Sequence, residues 1–231
     1  MPNLAWSQIE TVLLDMDGTL LDLHFDNHFW IEHLPLKIAQ KTGKPVEQCR
    51  ADMLAHYERL MGQIEWYCLD YWADYLDMDI VAAKRDVEHL IAMRDDTLPF
   101  LDALRETGRQ VILVTNAHPG SLSLKVERTK LDSHIDTLVS AHVYGVTKES
   151  QLLWQKLQAD YKFDPTKTLF VDDSLTILSA AQEFGIAHLL AVENPDSKLP
   201  AREIKEFESV SDYRDLLDTI RANLILSLIH I

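Results

Sequence analysis

The sequence predicts an α/β fold: a doubly wound parallel sheet with a small all-helical insertion after its first strand. Three observations predict it. Short apolar runs recur and each breaks into small polar or acidic residues, as in Thr11-Val12-Leu13-Leu14 before Asp15-Met16-Asp17-Gly18-Thr19. Runs of this kind suit strands buried on both faces of a parallel sheet. From Asp96 onward, helical patterns alternate with these runs, the order that builds right-handed strand–helix–strand units. Between Leu23 and Met93 the pattern is helical and aromatic with no buried-strand run.

The expected organisation is therefore a core of residues 1–22 and 94–231 with a helical cap of residues 23–93. In the cap, Ile64, Cys68, Tyr71, Trp72 and Tyr75 fall at helical spacing and predict one aromatic helix face. His24, His28 and His33 match no zinc-ligand spacing and read as solvated or hydrogen-bonded residues. After the insertion, a helix is expected over 97–108, with Asp96 or Thr97 as N-cap, a proline in its first turn and Gly108 as its stop. Strand 110–114 follows and ends at Thr115-Asn116. A helix is predicted over 121–130, an apolar segment over 135–140, and a helix over 149–161 opened by Lys148. Strand 168–171 runs into Asp172-Asp173-Ser174, and Ser174 should cap a helix over 175–184 that Gly185 ends. A fifth strand over 186–192 closes the series. No reading attaches to the apolar tail 222–231 beyond packing on the body or contacting another subunit.

Composition narrows the function. The 231 residues suffice for one α/β domain plus a smaller insertion, and 47% hydrophobic content allows a sizeable core. Against 22 basic residues stand 37 acidic ones, and the net charge of −15 opposes binding to nucleic acid or to an anionic membrane. No run approaches the roughly 20 apolar residues that span a bilayer. Cys49 and Cys68 are the two cysteines, too few for a disulfide framework or a cysteine-rich zinc site. With no signal peptide visible at the N-terminus, a cytoplasmic location is expected.

If the strands are parallel, their C-terminal ends share one edge, where ligands of open α/β sheets sit. That edge collects Asp15, Asp17, Thr115, Asn116, Asp172 and Asp173, with Lys148 at a nearby helix start. Asp15 and Asp17, two residues apart, project to the same side. Like charges ~4 Å apart repel by about 4 kcal/mol even at an intermediate dielectric, so four carboxylates in one site call for a cation. A hard ion such as Mg2+, or Mn2+ in its place, suits oxygen ligands and a substrate phosphate. Asp15 can then attack phosphorus as a carboxylate nucleophile.

The order Asp-Met-Asp-Gly-Thr, strand-Thr-Asn, Lys, Val-Asp-Asp-Ser resembles the four motifs of the haloacid dehalogenase (HAD) superfamily, whose core is a Rossmann-like sheet. The resemblance implies Asp15 as nucleophile and Asp17 as general acid, then base. It implies phosphate contacts from Asp15, Gly18, Thr115, Asn116 and Lys148. It implies Mg2+ held by Asp15, the backbone carbonyl of Asp17, and Asp173, with Asp172 assisting. The second acid of the first motif, Asp17, favours phosphoryl transfer over dehalogenation. The phrases His24-Phe25-Asp26-Asn27-His28-Phe29-Trp30, Trp66-Tyr67-Cys68-Leu69-Asp70-Tyr71-Trp72, Thr115-Asn116-Ala117-His118-Pro119 and Asn194-Pro195-Asp196-Ser197 further resemble bacterial purine 5'-nucleotidases acting on GMP and IMP. The expected partner is thus a small phosphorylated metabolite, a purine nucleoside monophosphate, with Phe25, Asn27, Trp30, Trp66 and Tyr67 as candidate base contacts. The alternatives are a sugar-phosphate or phosphoglycolate phosphatase or a phosphomutase on the same scaffold, and a non-enzymatic phospho-acceptor switch.

Overall fold

In the computed structural model, which describes residues 2–224, six parallel strands form one sheet. They are β1 (Thr11–Leu14), β2 (Gln110–Thr115), β3 (Thr137–Ser140), β4 (Thr168–Asp172), β5 (His188–Val192) and β6 (Ser209–Val210), in the order β3-β2-β1-β4-β5-β6. Alternation along the strands divides the apolar residues between two faces. On one face Val12, Leu14, Val111, Leu113, Leu169, Val171, Leu190 and Val192 pack on Phe100, Leu101 and Leu104. On the other, Leu13, Ile112, Val114, Phe170 and Ala191 pack on Leu153, Trp154, Leu157, Leu178 and Ala181. This two-sided burial is why the strands read as unbroken apolar runs. β6 escapes such a reading because it has two residues, one of them Ser209.

The insertion carries α1 (His24–His28), a π-helical turn (Phe29–His33), α2 (Leu34–Thr42), α3 (Val46–Leu60), α4 (Ile64–Tyr67), α5 (Leu69–Leu76) and α6 (Ile80–Arg85). It has its own apolar cluster around Phe25, Phe29, Met53, Tyr57, Leu69, Trp72 and Ile80, and Leu124 of the core closes that cluster from below. The expected aromatic helix face is interrupted: Cys68 has an extended backbone (φ −80°, ψ 109°) that separates α4 from α5. Trp72 is buried while Tyr75 lies outside, 54% exposed. The histidines of the first cap turns do not gather: His33 faces Asp86 at 3.2 Å and His24 faces Asp196 at 3.7 Å. Both ends of the insertion leave the core side by side, with Leu21 bridged to Met93 and the Asp22 N–H donating to Ala92 O at 2.9 Å.

The core helices are α7 (Thr97–Glu106), α8 (Pro119–Thr129), α9 (Gln151–Tyr161), α10 (Leu175–Phe184) and α11 (Leu217–Arg221). Ser174 caps α10 as expected, accepting from the Ile177 N–H. α8 starts before Ser121, because Pro119 occupies its first turn and the His118 ring accepts from the Gly120 N–H as an unforeseen cap. α9 begins after Ser150, which caps it, so Lys148 lies in the preceding loop and not on the helix. Among the described residues no helix is long and apolar enough to cross a membrane, and both cysteines are free. The tail 222–231 falls outside the described residues from 225 onward.

Asp96 sits at the start of α7 without capping it by its side chain. Its carboxylate instead takes Arg94 Nε and Nη2, each at 3.1 Å, and the Tyr213 N–H at 2.8 Å. Arg94 also donates to Asn194 O (2.8 Å) and Ser211 O (3.0 Å), while the Tyr213 hydroxyl donates to Thr19 O at 3.0 Å. This buried knot ties the end of the insertion, the loop after β1 and the C-terminal segment together. Removing one partner of a buried pair leaves an uncompensated charge. Asp96→Ala should therefore cost about 3–5 kcal/mol in urea unfolding, and a loss below 1 kcal/mol would show the knot to be dispensable.

Candidate active site

Each catalytic candidate sits where a strand stops. β1 pairs with β2 and β4 up to Leu14, and Asp15 N continues the ladder to Val171 O at 3.0 Å. The chain then turns sharply: the Leu20 and Leu21 N–H groups both donate to Met16 O at 2.9 Å. Gly18 makes the turn possible with φ 83°, and a Cβ there would stand 2.9 Å from both Asp173 Cγ and Pro195 Cβ. No other residue type fits a positive φ against so close a neighbour. Gly18 thus lets the loop after β1 touch the one after β4.

The carboxylates do converge. Oxygens of Asp15, Asp172 and Asp173 come within 4.8 Å of one another, and Asp15 and Asp172 are buried. Lys148, 1% exposed, lies between two of them, 2.5 Å from Asp15 Oδ1 and 2.7 Å from Asp172 Oδ2. Its loop is fixed on both sides: the Lys148 N–H donates to Asn116 Oδ1 (2.8 Å) and Lys148 O accepts from Trp154 Nε1 (2.9 Å). The amide of Asn116 in turn donates to Glu149 Oε2 at 3.1 Å. Asn116 thereby places the lysine. One ammonium does not balance three carboxylates. Burial raises the Asp15 carboxyl to about 6 against the pull of Lys148, with Asp172 adding to the rise. Burial and the charges of Asp172 and Asp15 hold Asp173 well above the usual carboxylate range. An all-oxygen, electron-rich donor set with an excess of negative charge is what a hard divalent cation takes, so these residues fit a metal. The side chain of Asp17 is not in this cluster.

Asp17 turns instead toward residues that the sequence did not single out. Its Oδ1 accepts from Lys125 Nζ of α8 at 2.6 Å, and the same ammonium reaches Asp26 Oδ2 of α1 at 2.6 Å. Lys84 of α6 donates to Asp26 Oδ1 at 3.1 Å and lies 4.6 Å from the Phe29 ring centroid and 5.2 Å from that of Trp30. Both lysines are buried, at 2% and 1% exposure. Burial opposes ionisation of Asp26, but Lys125 and Lys84 outweigh it and hold the carboxyl at about 2. Burial lifts Asp17 to about 6 despite Lys125, with Asp26 and Asp15 adding to the rise. Charge therefore alternates from core to cap: Asp17, Lys125, Asp26, Lys84. A lone lysine in a helix carries no sequence signal for such a role, and Asp26 stands out only within the stretch His24-Phe25-Asp26-Asn27-His28-Phe29-Trp30.

Above these groups opens a cavity of about 490 Å³, in the range of small-molecule sites. Asp15, Asp17, Thr115, Asn116, Lys148, Asp172 and Asp173 line its floor, and Asn27, Trp30, Trp66 and Tyr67 its walls. Trp30 and Trp66 stack at 6.2 Å and 28°. Trp66 is fixed by Trp72, whose Nε1 donates to Trp66 O at 2.9 Å. Asn27 spends its amide N–H on Asp196 Oδ2 (2.8 Å), leaving its carbonyl oxygen for another donor. Phe25 is not on the wall: it is 1% exposed in the cap cluster, beneath the two buried lysines. Thr115 Oγ1 accepts from the Ala117 N–H at 3.0 Å, so its own O–H remains a donor.

The direction of the Asp17 shift has a consequence for stability. An aspartate ordinarily titrates near 3.9; with a folded value of about 6, the folded chain holds this proton where the unfolded chain releases it. The ionised residue is then destabilising, by an amount that grows as pH rises from about 4 to 6 and is constant above. In chelator, Asp17→Asn should gain on the wild type in thermal stability as pH rises from 4 to 7. A pH-independent difference would contradict the shift.

Comparison with known proteins identifies the family and the fold. The family model for haloacid dehalogenase-like hydrolases matches residues 9–185, from the start of β1 through α10. GMP/IMP nucleotidase YrfG of Escherichia coli (strain K12) is 44% identical over 218 residues, covering 94% of this chain and 98% of its own. Among solved structures, a HAD phosphatase from Thermococcus onnurineus shares the fold with a TM-score of 0.76 at 19% identity, covering 94% of this chain and all of its own. A putative beta-phosphoglucomutase from Thermotoga maritima does so with a TM-score of 0.64 at 17% identity, again over 94% of this chain and 100% of its own. The chain belongs to the haloacid dehalogenase-like hydrolases.

Proposed function

We propose that this chain is a Mg2+-dependent 5'-nucleotidase that hydrolyses GMP and IMP to nucleoside and phosphate. The observation that carries the reading is the 44% identity with the Escherichia coli GMP/IMP nucleotidase over nearly the whole of both chains. An aromatic-walled cavity directly over the acidic floor supports it. In this reading residues 1–22 and 94–231 form the catalytic core and residues 23–93 the cap that selects substrate.

Asp15, Asp172 and Asp173 would hold Mg2+, with the Asp17 backbone carbonyl completing the protein ligands as the family resemblance implies. When bound, the ion supplies charge neutralisation to the phosphoryl oxygens. A carboxylate oxygen of Asp15 attacks phosphorus, and an O–P bond forms as the bond from phosphorus to the nucleoside 5'-oxygen breaks. Asp17, whose raised pKa keeps a share of it protonated near neutrality, gives its proton to that departing oxygen. The resulting carboxylate then takes a proton from water, and the hydroxyl so formed attacks phosphorus to release phosphate and restore Asp15. Lys148 offsets charge on Asp15 throughout, and the Thr115 O–H donates to a phosphoryl oxygen. Lys125 keeps the Asp17 side chain aimed across the cavity and away from the metal ligands.

Variants, metal removal and a substrate panel test the mechanism and the specificity. Asp15→Asn should abolish turnover in a folded protein, and Asp17→Asn should lower kcat by about 10²–10⁴-fold with phosphate left on Asp15; near wild-type rates in either would sink the assignment. Lys125→Met should lower kcat at least tenfold with little change in KM, since it touches the acid and not the base pocket. A change confined to KM would remove Lys125 from the acid's support. EDTA should silence the enzyme and Mg2+ restore it. For substrate, the 6-oxo purine offers an acceptor where AMP offers a donor, and a polar contact rejects the mismatch. GMP and IMP should exceed AMP, pyrimidine monophosphates and phosphoglycolate in kcat/KM by at least tenfold. A panel in which sugar phosphates lead would refute the nucleotidase and leave the phosphatase chemistry standing.

A further inference from the structure

Beside the cavity, which His118 also lines, lies a second cluster of metal-ligating side chains. Donor atoms of Cys68, His118 and His142 come within 4.8 Å of one another, and all three residues are half-buried. They come from three parts of the fold: Cys68 from the break between α4 and α5 of the cap, His118 from the cap position of α8, and His142 from the turn after β3. The break is what delivers the thiol. Had α4 and α5 been one helix, Cys68 would have stayed in the row of residues predicted for the aromatic face.

The histidines are disposed as ligands. The Nε2 of His142 is buried with no hydrogen-bond partner among the described residues. A buried ring nitrogen without a partner carries a desolvation cost that a metal ion would remove. His118 stands edge-to-face with the His142 ring, centroids 5.0 Å apart. His118 Nδ1 accepts from the Gly120 N–H at 3.1 Å, and Asp70 Oδ2 lies 3.4 Å from its Nε2. A metal would displace one of these two contacts and keep the other to orient the ring. Ligands about 2.0–2.3 Å from a tetrahedral centre stand roughly 3.3–3.8 Å apart, so donors within 4.8 Å of one another need close by at most about 1.5 Å.

We propose that Cys68, His118 and His142 form a binding site for a soft divalent cation of the Zn2+ class, separate from the carboxylate site, that fastens the cap to the core. Thiolate plus two imidazoles selects Zn2+ over Mg2+, which prefers oxygen. A water completes the tetrahedron, and the Cys68 thiol gives up its proton to solvent as the metal binds. Because one ligand belongs to the cap and two to the core, an occupied site resists cap opening and so slows the enzyme that opens to exchange ligands.

The test uses the full-length protein with saturating Mg2+, which occupies the carboxylates. Zn2+, delivered against a chromophoric chelator, should bind at one equivalent per chain, and Cys68→Ser should weaken it at least tenfold. Co2+ in place of Zn2+ should give a thiolate-to-metal charge-transfer band that the variant lacks. His142→Ala, with the thiol intact, should weaken Zn2+ by a similar factor. In the same buffer Zn2+ should inhibit phosphatase turnover of the wild type at stoichiometric levels and spare Cys68→Ser. Absence of tight Zn2+ binding, or equal affinity and equal inhibition in wild type and Cys68→Ser, would overturn the proposal and assign any Zn2+ effect to the carboxylates.

Discussion

The salt bridge from Lys148 to Asp15 and Asp172 is the interaction on which the site depends. Two strand ends deliver three carboxylates to one sheet edge, and the fold can hold them there only if positive charge is buried with them. A buried ammonium costs as much as a buried carboxylate unless every partner is in place. Asn116, Trp154 and Glu149 exist in this structure largely to guarantee that: they fix the loop on which Lys148 stands, so that its side chain has one place to go. The balance is deliberately incomplete. With Asp173 left over, the folded chain carries an unmet demand for a cation, and that deficit makes the cluster fit a metal site.

A second balance joins the two parts of the chain. Lys125 satisfies Asp17 of the core and Asp26 of the cap with one ammonium, and Lys84 completes the set among aromatic rings. The charge around Asp17 therefore depends on where the insertion sits, since Asp26 and Lys84 belong to it and Lys125 does not. Asp17 and the insertion are electrostatically coupled.

Much of this was legible because strand-end carboxylates announce themselves. A buried apolar run followed by Asp-Met-Asp-Gly, or by Asp-Asp-Ser, has few structural readings in an α/β chain, and the alternation after Asp96 gave the order of elements. What could not be read depends on partners distant in the chain. Lys125 and Lys84 are single lysines in ordinary helices, and only the fold shows that each meets Asp26. Phe25 and Trp30 look equally exposed to ligand in the sequence, yet one is sealed beneath the lysines and the other, lifted by a π-helical turn, reaches the cavity. The start of α8 was misplaced because a histidine cap has no sequence rule, and the continuous aromatic helix failed because the backbone extends at Cys68.

The side-by-side exit of the insertion, where Leu21 bridges Met93, has an evolutionary meaning. Entry and exit points that touch make the inserted length irrelevant to the sheet: residues can be added or removed between them without moving β1 relative to β2. The strands and their acidic tips can therefore stay constant while everything inserted above them is exchanged. A scaffold wired in this way can acquire a new substrate by replacing one contiguous segment of chain, and its chemistry need not be reinvented each time.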